Sequence, residues 1–332
     1  PSAGHFGRID MGNFRDGDRA FTGESLHGMG FEATYAGALS FMRRKYTRDL
    51  TGVDVAVMGV PLDTATSNRP GARFGPAAVR AASAQMAWGK PWPWGFDPFE
   101  SLAVIDHGDC TFDYGRPENS PGVITAQARA IIDRGVSLLS LGGDHYITFP
   151  LLRAHHAVHG PLALVHFDAH SDTWRDDPAP GEPPRIDHGT MFFHAAREGL
   201  VDPAHSVQVG IRTHNDETHG FTVRDAEWVH GNGIAATVAE IRRVVGDRPA
   251  YLTFDIDCLD PAFAPGTGTP VCGGLSTAQA QAILRSLADV NFVGMDVVEV
   301  APAYDVGQIT ALAAAHLALD YLCLRAARKR KG

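Results

Sequence analysis

Three short stretches of this chain set carboxylates and imidazoles close together: Gly142-Gly143-Asp144-His145, Asp168-Ala169-His170-Ser171-Asp172 and Asp255-Ile256-Asp257. Each directly follows an apolar run, respectively Ser137 to Leu141, Leu162 to Phe167 and Tyr251 to Phe254. An extended chain alternates faces with period two, which puts Asp168, His170 and Asp172 on one side, and Asp255 with Asp257 likewise. His145 completes a set of six candidate metal ligands. Four carboxylates packed together in a low-dielectric pocket push one another's pKa upward. Two divalent cations remove that difficulty, since four Asp carry −4 and two M²⁺ carry +4. Oxygen and imidazole donors without a thiolate suit Mn²⁺ better than a sulfur-rich zinc site. A water shared by two metals about 3.5–4 Å apart ionises near neutral pH, and both cations steady a developing oxyanion. The expected chemistry is hydrolysis by metal-activated hydroxide.

A lone D-x-D or H-x-D is more often a set of caps and turn residues. Three such clusters at three equivalent positions outweigh that reading. Two further residues are placed for catalysis. Glu299 follows the apolar run Val293 to Val298, and His188 closes a Pro-rich loop just before a helix. The other histidines fare worse. His155 and His159 have the spacing of a metal pair but no carboxylate between them, so a solvated helix face is expected there. His316, among Ala and Leu, reads as a core or interface residue.

The elements that must carry these residues alternate along the chain. Apolar runs at Val53 to Met58, Leu102 to Ile105, Ser137 to Leu141, Leu162 to Phe167, Ser206 to Val209, Tyr251 to Phe254 and Phe292 to Val297 read as strands buried on both faces. Helical periodicity marks Ala77 to Met86, Ile124 to Arg134, Phe149 to His156, Ala236 to Val245, Thr277 to Ala288 and Ile309 to Ala326. Such alternation predicts βαβ units: a single three-layer α/β/α domain with a mostly parallel sheet of about eight strands. In an open sheet of this kind, ligands collect beyond the carboxyl ends of the strands, where all three clusters lie. No linker interrupts the pattern from residue 51 to 332. Residues 1–50 are Gly-rich, weakly periodic, and read as an N-terminal arm or subunit contact. Two loops, Trp88 to Pro98 and Trp174 to Asp187, stand out by their proline content, and long loops in compact domains are often functional.

Composition narrows the function classes. A 44% hydrophobic and 20% charged chain is that of a packed globular protein. Its 29 Lys+Arg against 38 Asp+Glu leave −9, with no basic run before Arg328 to Lys331, so a nucleic-acid partner is not expected. Four scattered cysteines without a C-x-x-C pair fit a reducing cytoplasm. No window holds the roughly 20 apolar residues of a membrane span, and no leader pattern opens the sequence.

With these motifs in order, the sequence resembles the ureohydrolases, the binuclear manganese family of arginases and agmatinases. The likeness rests on Gly142 to His145, Asp168 to Asp172 and Thr253-Phe254-Asp255-Ile256-Asp257-Cys258-Leu259-Asp260-Pro261. It covers most of the chain. Asn68 to Pro76, Phe263 to Pro270 and Asp296 to Ala314 are similar to the bacterial agmatinases in particular, whereas Thr173-Trp174-Arg175-Asp176-Asp177 lacks the arginase pattern. The resemblance implies an arginase-like fold and two Mn²⁺ per subunit. Asp168 and Asp255 would bridge both ions, His145 and Asp172 complete one site, and His170 and Asp257 the other. It also implies that Glu299 receives a guanidinium, that His188 shuttles a proton, and that the chain forms a trimer or hexamer. Agmatine, cleaved to urea and putrescine, is the implied substrate, ahead of 4-guanidinobutyrate and then arginine. Asp176, Asp177, Glu182, Asp216 and Glu217 share their loops with Arg175, Arg185 and Arg212, so charge alone does not separate the first two. A non-catalytic metal-binding protein on the same fold is the alternative from another class.

Overall fold

The structure is a computed structural model that describes residues 17–30 and 32–330. The first sixteen residues of the expected arm lie outside the described residues. Along the chain run α1 (Arg19–Thr22), β1 (Val55–Val60), α2 (Gly75–Ser83), β2 (Val104–Asp109), α3 (Ser120–Ile132), β3 (Ser137–Gly142), α4 (Thr148–His159) and β4 (Ala163–Phe167). Then follow α5 (Met191–Arg197), β5 (Val207–Val209), β6 (Thr222–Arg224), α6 (Ala226–Val245), β7 (Ala250–Asp255), α7 (Thr277–Arg285), β8 (Phe292–Val298) and α8 (Ile309–Lys329). The strands form one eight-stranded sheet in the order β2-β1-β3-β8-β7-β4-β5-β6. Each pairing is parallel.

Side chains alternate between two cores. Val55 and Val57 of β1 join one apolar cluster with α2, α6, α7 and α8, while Ala56, Met58 and Val60 join another with α3, α4 and α5. The sheet is thus buried on both faces, as the continuous apolar runs require. The eighth strand, β6, escaped the sequence reading because Thr222-Val223-Arg224 is short and half-buried, with no apolar run. Residues 40–46 of the expected arm pack on the domain: Phe41 is buried in the core, and Tyr46 bridges to Asp106 of β2.

Helix α8 departs from the sequence expectation for membranes, being long and apolar enough by composition to cross one. Yet 78% of that stretch is buried, which is how a core helix meets the same criterion. Its start is held by Asp305, whose carboxylate accepts the N–H groups of Thr310 and Ala311 at 3.0 and 3.1 Å. The Trp88 to Pro98 loop is tied down too, with Trp94 Nε1 donating to Asp320 of α8 at 2.7 Å.

Candidate metal centre

Four adjacent central strands, β3, β8, β7 and β4, point their carboxyl ends the same way. His145 follows β3, Glu299 follows β8, Asp255 ends β7, and Asp168 follows β4. Parallel pairing therefore gathers residues that are far apart in sequence onto one edge.

The six candidate ligands do come together, but not by the period-two alternation expected from the sequence. The chain bends after Asp168, and Asp172 sits in the left-handed region at φ +51. After β7 it turns as a 3₁₀ helix, Ile256–Cys258, started by Asp255 Oδ1 accepting the Asp257 N–H at 2.8 Å. Glu299 is likewise left-handed at φ +63. Non-glycine residues in that region are strained by about 1–3 kcal/mol, and such strain concentrates at functional sites.

Within the cluster, His145 Nδ1 lies 3.0, 3.0 and 3.2 Å from Asp168 Oδ2, Asp172 Oδ2 and Asp255 Oδ2. His170 Nδ1 lies 3.3 Å from Asp168 Oδ1 and 3.2 Å from Asp257 Oδ2. Asp168 thus offers one oxygen to each imidazole, the disposition of a bridging carboxylate. Asp255 meets His145 through Oδ2, while its Oδ1 is engaged by the Asp257 N–H. Asp257 is braced by Ala169 N–H at 3.1 Å and the Thr269 hydroxyl at 3.2 Å.

Proton positions test whether a cation belongs here. Thr253 gives its single hydroxyl proton to Asp296 Oδ1 at 2.6 Å, so its oxygen accepts from His145 Nε2–H at 2.8 Å. A neutral His145 ring then turns the bare lone pair of Nδ1 toward three carboxylates. That buried nitrogen has no hydrogen-bond partner, and the facing groups are all acceptors, which is the donor set of a cation site.

The electrostatics agree. Burial and the neighbouring Asp257 and Asp168 push the Asp255 carboxyl well above its usual range, and burial with Asp168 raises Asp257. Asp168 is buried as well, but His166, His145 and His170 hold it well below. Burial disfavours a charged His170, yet Asp168 and Asp257 raise it to about 12; His145 is held well above its usual value, against burial, by Asp168, Asp172 and Asp255. So much negative charge calls for protons on the imidazoles or for metal ions.

Glu299 is buried, and its Oε1 accepts the backbone N–H of His145 at 2.7 Å. His188 Nδ1 stands 3.6 Å from the same oxygen, and its Nε2 is 2.9 Å from Ser67 Oγ. Burial opposes a charge on His188, but Glu299, Asp172 and Asp144 raise it to about 9. Beside this pair opens a cleft of about 490 Å³ lined by Leu62, Ala65, Ser67, Tyr146 and Asp187 among others.

Two groups in the neighbourhood were missed in the sequence. His166 is fully buried in β4 and donates to Asp168 Oδ2 at 2.7 Å; within the apolar run Ala163 to Phe167 nothing marked it. Asp144, adjacent to His145, accepts from Ala65 N–H at 2.9 Å and is raised to about 8 by burial and by Glu299. His155 also differs from expectation. It is fully buried against Tyr251, ring centroids 4.8 Å apart, because the α4 face that carries it meets the sheet. The loop charges pair among themselves: Arg175 with Asp177 and Glu217, Arg185 with Asp187, His214 with Asp216.

Comparison with known proteins adds to this geometry. The sequence profile of the arginase family matches residues 53–323. An agmatinase of Chromobacterium violaceum is 60% identical over 317 residues, 95% of this chain and 97% of that protein. A solved structure from Burkholderia thailandensis, described as a hypothetical agmatinase, is 61% identical and superposes with a TM-score of 0.91, covering 95% of this chain and 99% of that one. The proclavaminate amidino hydrolase of Streptomyces clavuligerus is 40% identical with a TM-score of 0.81, covering 90% and 100%.

Proposed function

The chain belongs to the arginase family and is an agmatinase-type ureohydrolase within it, and from that premise we propose that it hydrolyses agmatine to urea and putrescine with two Mn²⁺ ions. His145, Asp168, Asp172 and Asp255 would hold one ion, and His170, Asp257, Asp168 and Asp255 the other. When bound, the ions would supply the activated water and the charge stabilisation that a delocalised guanidinium, a poor electrophile, requires.

The chain's own residues do the rest. Glu299 already accepts the His145 N–H with Oε1 and keeps Oε2 and a further lone pair for two guanidinium N–H groups. Pairing in that way holds the guanidino carbon over the ligand cluster and excludes rotation of the substrate. His188, raised to about 9, carries a proton at neutral pH beside Glu299. As the C–N bond to the alkyl nitrogen breaks, that nitrogen takes the proton from His188, because an amine does not leave unprotonated at useful rates. Water supplies the oxygen of urea and two protons: one replaces the proton given by His188, and the other ends on the departing amine, which leaves as an ammonium.

The observation that carries this reading is the contact of Glu299 with both His145 and His188. It sets a carboxylate and an imidazole side by side against the six-ligand cluster. Arg212, a candidate for a substrate carboxylate in the 4-guanidinobutyrate alternative, is spent on main-chain carbonyls of Gly210, Asp257 and Val271 at 3.0, 2.5 and 2.8 Å. Urea release from agmatine, 4-guanidinobutyrate and arginine, each with Mn²⁺ and with a chelator, tests the proposal. Agmatine is expected to be preferred and its turnover to vanish on chelation; preference for either other compound would overturn the substrate, and chelator-resistant turnover the chemistry.

A further inference from the structure

A second pattern underlies the centre. Ser140 of β3, Asp296 of β8, Thr253 of β7, His166 of β4 and Gln208 of β5 are successive register partners across the sheet. All five are fully buried. In strands covered by helices on both faces, a transverse row of polar side chains is unfavourable unless it is hydrogen-bonded; Asp296, Thr253, His166 and Gln208 are, whereas Ser140 Oγ has no partner among the described residues.

Two arms rise from this row toward the ligands. The first is the Asp296–Thr253–His145 chain already described. Asp296 is fixed in turn by the hydroxyls of Thr148 and Tyr251 at 2.9 and 2.8 Å. The second arm starts at Gln208, whose Nε2 donates to the Ser171 carbonyl at 2.5 Å. A carbonyl only accepts, so this contact settles which end of the amide is nitrogen. The same Nε2 lies 3.1 Å from His166 Nδ1, which must therefore accept. The ring proton sits on Nε2 and is given to Asp168 Oδ2 at 2.7 Å. Oδ2 is the Asp168 oxygen that faces His145.

We propose that this polar row is a positioning layer for the metal centre: it holds His145 with its Nδ1 lone pair turned inward and Asp168 with Oδ2 aimed at the same cation. The proposal rests on the metal-centre reading above. Both arms end on the His145 side, so the ion there depends on them more than the ion beside His170. Outer hydrogen bonds of this kind set ligand tautomer and orientation, and losing one typically weakens metal affinity about 10–100-fold.

The test titrates metal-free full-length protein with Mn²⁺ alone, by calorimetry, and counts retained metal after gel filtration. Thr253→Val, nearly isosteric, and His166→Leu are each expected to weaken one of two binding events about 10–100-fold. Retained metal should fall from two ions to one. His166→Gln, which keeps an N–H donor of similar reach, is expected to restore binding to within about threefold. Turnover of the weakened variants should recover at saturating Mn²⁺ with KM within about twofold, which a general packing defect would not allow. If His166→Leu fails to fold, Thr253→Val decides alone. Variants that bind both ions as tightly as the parent chain would overturn the proposal, as would equal loss of both ions. A parent chain that binds no Mn²⁺ would instead overturn the function proposed above.

Discussion

Glu299 and His145 are joined by a hydrogen bond from the His145 main-chain N–H to Glu299 Oε1, 2.7 Å long. One end of β3 and one end of β8, neighbours in the sheet, are thereby locked at the depth where the imidazole enters the cluster. The residue proposed to hold substrate is registered against the residue proposed to hold metal, so the distance between the two functions is fixed by backbone. The left-handed φ of Glu299 is part of the same arrangement, since it turns the chain at the strand end to aim the carboxylate back toward His145.

Glu299→Gln is expected to leave Mn²⁺ content unchanged and to lower kcat/KM for agmatine about 10²–10³-fold. Removing one member of a buried, charge-assisted pair typically costs about 2–5 kcal/mol, and the amide still accepts the His145 N–H. Metal analysis alongside steady-state kinetics checks both halves; unchanged kinetics would move guanidinium binding elsewhere.

The pH profile follows from His188. Its proton is held to about 9 by Glu299, Asp172 and Asp144 against the opposing effect of burial. The protonated donor is present below that value and lost above it, so kcat is expected to fall on an alkaline limb. Cations at the cluster repel the proton and place the limb at or below about pH 9. His188→Asn should lower kcat about 10²–10⁴-fold and abolish that limb.

Arg212→Ala is expected to destabilise the fold without switching substrates. Its guanidinium binds the carbonyls of Gly210, Asp257, Cys258, Leu259 and Val271, tying the β5 end to the segment after β7. Buried acceptors left unsatisfied cost about 1–3 kcal/mol each. A drop in Tm of at least about 5 °C is expected, with the ratio of agmatine to 4-guanidinobutyrate turnover unchanged within about threefold. A shifted ratio at unchanged Tm would contradict this.

His155 gives an acid-stability prediction. Burial lowers it from 6.5 to about 4, its bond to the Leu151 carbonyl notwithstanding. The unfolded chain takes up a proton below pH 6.5 and the native ring does not until about 4. Its share of stability is therefore complete above 6.5 and lost as pH falls through that window, by about 3 kcal/mol. His155→Phe should flatten that part of the loss, measured by denaturant unfolding at pH 7 and pH 4.5; an unchanged difference between the two would count against it.

The fold was legible because fully buried parallel strands are written as plain apolar runs, and the candidate ligands because they abut those runs. The same feature hid His166: one imidazole inside Ala163 to Phe167 does not break the pattern, and its purpose depends on Gln208, a partner 42 residues away. His155 lies three and four residues after Leu152 and Leu151 on the buried face of α4, against Tyr251, a helical spacing masked by its equal match to a metal-pair spacing with His159. Asp296 lay in view within Gly294-Met295-Asp296-Val297, yet its three hydroxyl donors come from two other segments, Thr148 from α4 and Tyr251 and Thr253 from β7. Long-range hydrogen bonding of this sort leaves no local signature, whereas strand ends do.

The most direct measurement is agmatine hydrolysis followed while Mn²⁺ is titrated into metal-free protein, with bound metal counted at each step. Urea production is expected to start from nothing, rise with occupancy, and level off at two Mn²⁺ per chain. Full turnover without metal, or a plateau reached with a single ion, would contradict a two-metal centre built on His145, Asp168, His170, Asp172, Asp255 and Asp257.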